Sequence, residues 1–501
     1  MIYLLLTFLS LLVGSGLGIF FSTYYYPNIL SLFVVKNFFY ILPIVVIPFI
    51  VFVISRKNSF LMVSIILVLL FLSFSYTSIK AKQRLDNLLK VQSQDFLSGR
   101  VKISFLNKVF VETSNFNVVV YLREFDEEFT SLGSEVIVSG RARHIYHYLT
   151  NRSMFGYFLY LLGNNVPYVV YTEDDSVGEV VQSGSPFMEL VNRIRQDIYR
   201  KFSIYLPHTS FISASLIIGE SSDISKEFKE SIRVSGISHI FSVSGFHVGI
   251  IVIAFVLLLN TLRVPRFLQF LVVSVFLVGY SLMVGLKPPV VRASVLASLI
   301  LLVRAFDLSP NYLNLTLVLG IVMLVLDPFL SVDVGFILSF FAIVSMILFS
   351  RYVDDLIILL FNKVGIEPSK VVKGIVSLFS VSLTAVLFTL PVVLLWFGNS
   401  PMIGIFSSVV LVPLSSVIIV GGVLSYIISC FLPFVGEFMF RTVNFLNLVF
   451  IVITEMFSRV PLVVNISFDN LFLTAFVVSF YYFVLILLFL LVANIGRFIK
   501  V

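Results

Sequence analysis

The residues that could do chemistry are concentrated between Ser235 and Gly249, in the sequence SGISHIFSVSGFHVG. Histidines, small hydroxyl side chains and glycines are combined here at the start of a long apolar run. An uncompensated polar group inside a membrane costs several kcal/mol, so these residues must face protein, water or a ligand. The candidate residues of this segment are His239, Ser242, Ser244, Gly245 and His247.

This segment does not match a catalytic or metal-binding pattern. His239 and His247 are eight residues apart, which on a straight helix places them about 80° apart in azimuth and about 12 Å apart along the axis. A break at Ser244-Gly245 could bring them closer, yet no third ligand follows nearby. Phe241 occupies the position at which a G-x-S-x-G nucleophile elbow needs its first glycine. We expect no catalytic residue, no metal site and no cofactor, and the alternative role for the Gly and Ser positions is close helix packing.

A further polar group is Arg292, in the sequence GLKPPVVRA from Gly285 to Ala293. Proline is tolerated in the first turn of a helix, so the proline pair predicts a helix start with Arg292 about one turn inside it. An arginine at that depth either extends to the membrane surface or faces a water-filled path, where it could contact phosphates.

The stretch from Arg141 to Tyr148, RARHIYHY, alternates cations with aromatic rings. Such a pattern is typical of single-strand binding, in which cations contact phosphates and bases stack on rings. The rings could equally face lipid headgroups. The candidates for an outer DNA contact are Arg141, Arg143, Tyr146, Tyr148 and Arg152.

The elements that must position these residues are membrane helices. The chain has 501 residues, of which 59% are apolar and 12% charged, whereas soluble proteins average about 25% charged residues. Apolar runs of sufficient length predict about twelve spans, about three before a polar break and about nine after it. The later spans are Ile237–Asn260, Phe267–Val284, Val290–Val303, Tyr312–Leu326, Val334–Ser350, Gly374–Trp396, Ile405–Cys430, Phe438–Phe457 and Leu471–Val492. The sequence therefore predicts a polytopic α-helical membrane protein.

We predict four parts along the chain: N-terminal transmembrane helices over 1–76, a small OB-like β-barrel domain over 77–185, an amphipathic interfacial helix over 186–207 and a channel domain over 208–497. The β domain is predicted from short runs of β-branched and aromatic residues bounded by Asn, Gly and Ser. These runs are Val101–Phe105, Val109–Glu112, Asn117–Leu122, Glu135–Arg141 and Tyr168–Tyr171. An apolar run over Ser210–Ile218 is too short to span and is a candidate re-entrant segment.

The orientation of the chain follows from its short loops, because cytoplasmic loops are enriched in Lys and Arg. With the N-terminus inside, the short outside loops contain only Lys287 and Arg459 as basic residues. The inside connections contain Arg56, Lys57, Arg263, Arg266, Arg304, Arg351, Lys363, Lys370, Lys373, Arg441, Arg497 and Lys500. We expect an inner-membrane protein with both termini cytoplasmic and the β domain extracytoplasmic.

In their order along the chain, these motifs resemble those of the ComEC-type competence proteins, the inner-membrane DNA uptake channels. Gly236-Ile-Ser-His239, with Ser242–Val248, is similar to the family signature G-I-x-H-L-L-A-V-S-G-L-H-V. The resemblance covers about Ser210–Leu414 and continues in order with Leu216–Glu220, Val291–Ala293, Asp327-Pro328, Val334–Phe340 and Leu390-Pro391.

The resemblance implies passage of single-stranded DNA into the cytoplasm during natural transformation. It implies as partners membrane lipid, a DNA receptor, a separate nuclease and a cytoplasmic helicase, and it leaves the oligomeric state open. The residues that would line the DNA path are His239, Ser242, Ser244, Gly245, His247 and Arg292. Some members carry a metallo-β-lactamase-like domain with an HxHxDH motif. None of the five histidines here forms that motif, so we expect a chain that is not an enzyme.

The alternative function is secondary transport of a small or anionic solute, which also needs broken helices and buried polar groups. Transporters place coupling carboxylates at mid-membrane and show inverted repeats, whereas Asp and Glu lie almost wholly in loops here. A membrane hydrolase or glycosyltransferase would need an acid, base or metal cluster, which the sequence does not offer.

Overall fold

The computed structural model describes most of the chain between residues 186 and 465 and parts of both flanks. The described residues are 7, 8, 10–13, 15, 73, 76, 77, 80, 81, 83–91, 96–105, 108–122, 134–139, 141–149, 155–172, 180–182, 186–465 except 222, 242, 366 and 461, then 477, 478, 480–485, 487 and 488. The predicted spans within 1–76 and at 471–492 lie largely outside these residues.

Helices make up most of the described chain. In order they are α1 (Ile145–Leu149), α2 (Phe155–Gly163), α3 (Pro186–Tyr205), α4 (Ser210–Ile217), α5 (Lys226–Val234), α6 (Ser238–Phe241), α7 (Gly245–Thr261), α8 (Arg266–Met283), α9 (Pro288–Ala305), α10 (Tyr312–Leu326), α11 (Val334–Lys363), α12 (Lys370–Phe397), α13 (Gly404–Phe431) and α14 (Pro433–Ser458). Residues 83–90 form a further helical segment.

The bundle contains six described helices long and apolar enough to cross a membrane, namely α8, α9, α11, α12, α13 and α14. Helices α7 and α10 are apolar but shorter. All of these overlap predicted spans, although α7 begins eight residues later than predicted and α11 continues to Lys363. The described chain is mostly helical with six candidate spans, consistent with the predicted helical membrane protein. The predicted total of about twelve spans depends in part on residues outside the described ranges.

The starts and ends of these helices follow local sequence signals. The Asp333 carboxylate precedes α11 and accepts a hydrogen bond from the Phe336 N–H at 2.6 Å, as N-caps do. Pro288 begins α9, because the first turn leaves the missing N–H unpaired anyway. Gly398 ends α12 with a φ of 75°, a left-handed conformation that glycine adopts at little cost.

The polar region folds around a seven-stranded sheet in the order β5-β6-β3-β2-β1-β4-β7. The strands are β1 (Phe96–Phe105), β2 (Lys108–Glu112), β3 (Asn117–Tyr121), β4 (Glu135–Ser139), β5 (Arg141–His144), β6 (Tyr168–Tyr171) and β7 (Val180–Gln182), and β8 (Asn399–Pro401) pairs separately with β9 (Val463–Asn465). The sequence predicted an antiparallel sheet or barrel. The structure differs in one pairing, because β6 runs parallel to β3, and a long connection between two strands permits that arrangement.

The sheet domain rests on the bundle through the turn Pro328–Val332, which connects α10 to α11. Phe329 in this turn is 3% exposed and packs in the same apolar cluster as Phe110 and Leu161 of the sheet domain. The guanidinium carbon of Arg84 lies 3.9 Å from the centroid of the Phe329 ring. The sheet domain is therefore held at the end of the bundle where α11 begins.

Helix α3 has one buried and one exposed apolar face, and its predicted position in the membrane interface stays a prediction. Val191, Ile198 and Phe202 are buried, whereas Phe187 and Leu190 are exposed. Its buried face joins the main core of the bundle, so this helix packs on the membrane domain as well as presenting apolar side chains outward.

Helix α4 has eight residues, too few to cross a membrane. Its residues from Ile212 to Ile217 are all buried. The Asn447 side chain of α14 donates hydrogen bonds to Ser213 Oγ at 2.9 Å and to Thr209 Oγ1 at 3.3 Å. The candidate re-entrant segment is thus a short helix that the bundle encloses. Hydrogen bonds from the Asn447 side chain connect it to α14.

Candidate functional site

The chain breaks between α6 and α7, before Gly245, where the sequence allowed a break. The predicted span Ile237–Asn260 is therefore divided between two helices. Ser244 is the N-cap of α7, and its backbone N–H donates to His247 Nδ1 at 3.1 Å. Because Nδ1 accepts, the neutral ring carries its proton on Nε2. His247 is fully buried, and Nε2 forms no hydrogen bond with a described residue, while the Ile240 main-chain carbonyl is close enough to interact with the ring. His247 therefore caps the helix with one nitrogen and keeps a buried donor at the other.

The two histidines of this segment occupy different environments. The His239 side chain is exposed on α6, whereas that of His247 is buried. Ser242 lies outside the described residues. Within the described part of the chain no three His, Cys, Asp or Glu side chains are grouped to hold a metal ion.

Gly245 allows α7 to approach α9 closely. A Cβ at Gly245 would lie 3.3 Å from Ala293 Cβ, a tight contact for side chains. The contact places the N-terminal turn of α7 against the first turn of α9, which carries Arg292. For Gly245, the structure thus supports the packing role that the sequence analysis left open.

Arg292 is buried, with 4% of its surface exposed. Its Nη2 donates to the Gly335 carbonyl oxygen at 3.0 Å, and its guanidinium lies 5.7 Å from the Phe336 ring centroid. Nε and Nη1 are buried without a hydrogen-bond partner among the residues described. The Asp333 carboxylate is near enough to interact electrostatically with the guanidinium. Arg292 is thus enclosed by neighbouring protein groups, and whether it also lies near the membrane surface stays a prediction.

Three helix N-termini meet at this point. Gly245 begins α7, Arg292 lies in the first turn of α9, and Gly335 lies in the first turn of α11. The helix dipole makes each N-terminus favourable for an anion. The first turn of α9 adds no unpaired N–H group, because Pro288 and Pro289 have none and the N–H groups of Val290 and Val291 donate to the Lys287 carbonyl oxygen. Arg292 adds a full positive charge, which Asp333 partly offsets, so the position can stabilise a passing anionic group.

A charged cluster that the sequence analysis missed lies beside this site. Arg195 of α3 pairs with Glu220 at 3.2 Å, and Lys287 donates to the Gly219 carbonyl oxygen at 3.0 Å. Burial, with the Arg195 charge and against the opposing effect of Glu220, lowers the pKa of Lys287 to about 8. The signal for this cluster was Gly219-Glu220 immediately after the short apolar run, but the partners come from distant segments.

The predicted outer contacts are only partly at the surface. Arg141 and Arg143 are exposed on β5, and Arg143 lies 5.3 Å from the Tyr171 ring centroid. Tyr148 is 2% exposed, and its hydroxyl lies 3.2 Å from that of Tyr171. The stacking role suggested for Tyr148 is therefore corrected to a packing role, because its ring fills the domain core. Tyr146 lies in α1, and Arg152 is outside the described residues.

Tyr148 belongs to a tyrosine cluster that sequence reasoning did not predict. Its members are Tyr121, Tyr148, Tyr157, Tyr160 and Tyr171, which come from β3, α1, α2 and β6. The Tyr121 and Tyr171 rings are stacked at a centroid distance of 5.3 Å. Burial, together with the nearby Tyr121 and the Asp333 carboxylate, raises the pKa of Tyr160. The cluster thus reaches from the exposed β5 cations to the start of α11, beside Arg292.

Comparison with known proteins covers the bundle. The profile of a family described as "Competence protein" matches residues 216–494, more than half of the chain. ComE operon protein 3 of Bacillus subtilis (strain 168) is 25% identical over 220 residues, which are 44% of this chain and 26% of that protein. An uncharacterised protein of Aquifex aeolicus (strain VF5) is 30% identical over 241 residues, which are 45% of this chain and 57% of that protein. No solved structure gives a significant match.

Proposed function

Because this chain belongs to the competence protein family, we propose that it passes single-stranded DNA across the plasma membrane into the cytoplasm during natural transformation. Its matches to the curated relatives cover less than two thirds of their length. The substrate, the direction of transport and the partners below are accordingly parts of this proposal.

The observation that carries the proposal is the convergence of α7, α9 and α11 around Arg292. A DNA strand brings one negative charge per nucleotide into hydrocarbon, where a charge without a polar partner is very unfavourable. Arg292 Nε and Nη1 and His247 Nε2 are buried donors without acceptors among the described residues. Donors at helix N-termini are the chemistry that a phosphate requires.

The sheet domain supplies the approach to this site in our proposal. Strands β1, β2 and β3 are consecutive and antiparallel, β4 pairs with β1, and β6 runs parallel to β3. These pairings support an OB-like domain, a fold that commonly binds single strands. The exposed Arg141 and Arg143 would contact the strand.

We further propose that the sheet domain is extracytoplasmic and that both termini are cytoplasmic, in line with the distribution of basic residues in the loops. The chain itself would act without catalysis. A DNA receptor would deliver the DNA, a separate nuclease would degrade one strand, and a cytoplasmic helicase would act on the incoming strand.

The test is a transformation assay in a strain that lacks the chain, with DNA binding at the surface and DNA entry scored separately. We expect binding to persist and entry of labelled DNA to be lost, and entry restored by the wild-type chain. Unchanged entry in the deletion strain contradicts the proposal. Reporters inserted at Lys90 and after Val501 should lie on opposite sides of the membrane, and the same side for both contradicts the orientation.

A further inference from the structure

An open cleft of about 620 Å³ lies between the helical segment 83–90 and two turns of the sheet domain. Its volume is within the range of about 300–1,000 Å³ that is typical of ligand pockets. One wall comes from the helical segment and Lys80, and the other from the turns that precede β3 and β6. The lining residues that matter here are Lys80, Asn87, Lys90, Asn115, Phe116 and Asn165.

Two lysines and two asparagines of this cleft are available to a ligand. Neither Lys80 nor Lys90 has an ion pair with any described residue, and Lys80 Nζ lies 4.6 Å from the Tyr76 ring centroid. The side-chain amides of Asn87 and Asn115 form no hydrogen bond with the described residues. On binding a ligand, these four side chains would therefore give up no ion pair or hydrogen bond with the described residues.

The walls of the cleft are held in place by contacts behind them. Arg84 donates to the Gly163 carbonyl oxygen at 2.8 Å, and Leu88 is buried in the sheet domain core. On the opposite wall, Asn165 Nδ2 donates to the Asn115 carbonyl oxygen at 3.2 Å. A cleft formed before its ligand arrives loses less entropy on binding.

The distribution of charge indicates the class of ligand. Lys80 and Lys90 are ten residues apart, which corresponds to about 15 Å along a helix. A single phosphate cannot contact both, whereas two non-adjacent phosphates of one strand can. The side-chain amides of Asn87 and Asn115 can form hydrogen bonds with base edges, and the Phe116 ring offers a face on which a base can stack.

We propose that this cleft binds a few nucleotides of single-stranded DNA, with phosphates at Lys80 and Lys90 and bases toward Asn115 and Phe116. The inference rests on the proposed function and adds a second contact region to it. In the sheet, Arg141 of β5 lies opposite Tyr171, which is the last residue of β6. The cleft, in contrast, lies where β3 and β6 begin. The two regions therefore sit at opposite ends of these strands.

The experiment uses the full chain in phosphatidylcholine nanodiscs and a fluorescent twelve-base oligothymidylate, whose binding is followed by anisotropy. The variant Lys80→Gln/Lys90→Gln should bind about tenfold more weakly at moderate salt, and its slope of log K against log salt should fall by about 1.4, for two lost phosphate contacts. Asn115→Asp, which places a negative charge in the cleft, should also weaken binding. The control is Lys226→Gln/Lys229→Gln, which removes two exposed lysines of α5 and should change little.

Wild-type affinity and salt slope in the cleft variants would overturn this inference and leave the proposed function intact. Nanodiscs that carry a cleft variant could also lose binding to phosphatidylglycerol vesicles while they still bind the oligonucleotide. That result would assign the cleft to lipid phosphates and would overturn this inference. If wild-type nanodiscs bind no oligonucleotide, the inference fails, and the transformation assay decides separately on the proposed function.

Discussion

The Arg292 Nη2 donates to the main-chain carbonyl oxygen of Gly335 at 3.0 Å and thereby joins the first turns of α9 and α11. Nη2 of the guanidinium thus connects two helices, while Nε and Nη1 have no hydrogen-bond partner among the described residues. The same side chain thus has a structural contact and free donors for an anion.

Substitution of Arg292 separates these two roles. Arg292→Lys keeps a charge and should retain partial DNA entry, whereas Arg292→Gln should lower entry by at least about tenfold, since a charged hydrogen bond contributes roughly 1.5–3 kcal/mol. Entry is measured per amount of folded protein. Arg304→Gln, at the exposed opposite end of α9, is the control. Wild-type entry in both Arg292 variants would remove this residue from the DNA path, and poor folding of both would leave it only a structural role, because lysine lacks the planar fork.

His247 is expected to act through Nε2 and not through a metal ion. His247→Gln keeps an acceptor for the Ser244 N–H but changes the buried donor, so DNA entry should fall while the folded amount stays near wild type. His247→Leu also loses the cap and should destabilise the chain by about 1 kcal/mol. His239→Gln should also reduce entry. Metal analysis of the purified wild type and variants should give background values, and stoichiometric zinc that is lost on substitution would show a metal site instead.

Gly236 should not tolerate a side chain. Its φ is +77°, and a Cβ there would lie 2.6 Å from Gly404 Cα, so Gly236→Ala combines backbone strain with a clash against main chain. We expect a clear loss of folded protein in detergent, scored by size-exclusion chromatography. Gly279→Ala, where a Cβ would meet nothing within 4 Å, should fold as wild type, and equal yields for both would contradict the close contact.

Lys287 should make stability depend on pH. Its pKa is lowered from 10.5 to about 8 in the folded chain, so between these values the unfolded chain binds a proton that the folded chain does not. Stability must then rise with pH across this interval. The measurement is the thermal unfolding midpoint in detergent from about pH 7.5 to about pH 9.5. This interval ends below the pH at which ordinary tyrosines lose their protons. Lys287→Met should lose the rise, whereas Lys226→Met should keep it, and equal profiles for wild type and Lys287→Met would contradict the lowered pKa.

Phe329 should hold the sheet domain on the bundle. Phe329→Ala removes a buried ring, a change that typically costs about 3–5 kcal/mol, and it leaves Arg84 without its stacking partner. Limited proteolysis should then cut faster near the Pro328–Val332 turn. Phe306→Ala, a ring that is 65% exposed, serves as the comparison. Identical cleavage rates would show that the sheet domain is held by other contacts.

The sequence alone was sufficient for features that depend on local composition. Low charge and long apolar runs predicted the membrane helices, and short β-branched runs predicted the positions of β1 to β4 and β6. Ser244-Gly245 marked the break before α7, and the proline pair marked the start of α9. These predictions succeeded because hydrophobic periodicity, caps and helix breakers act over a few residues.

Only the tertiary structure decided which distant residues meet. Arg292 and Gly335 are 43 residues apart in the chain, and no local pattern indicates that α9 and α11 converge there. The sequence placed Tyr148 with the exposed cations, yet its ring is buried, because α1 packs across the sheet. Such contacts depend on which faces of packed helices and strands oppose each other, a property of the whole chain that no short segment encodes.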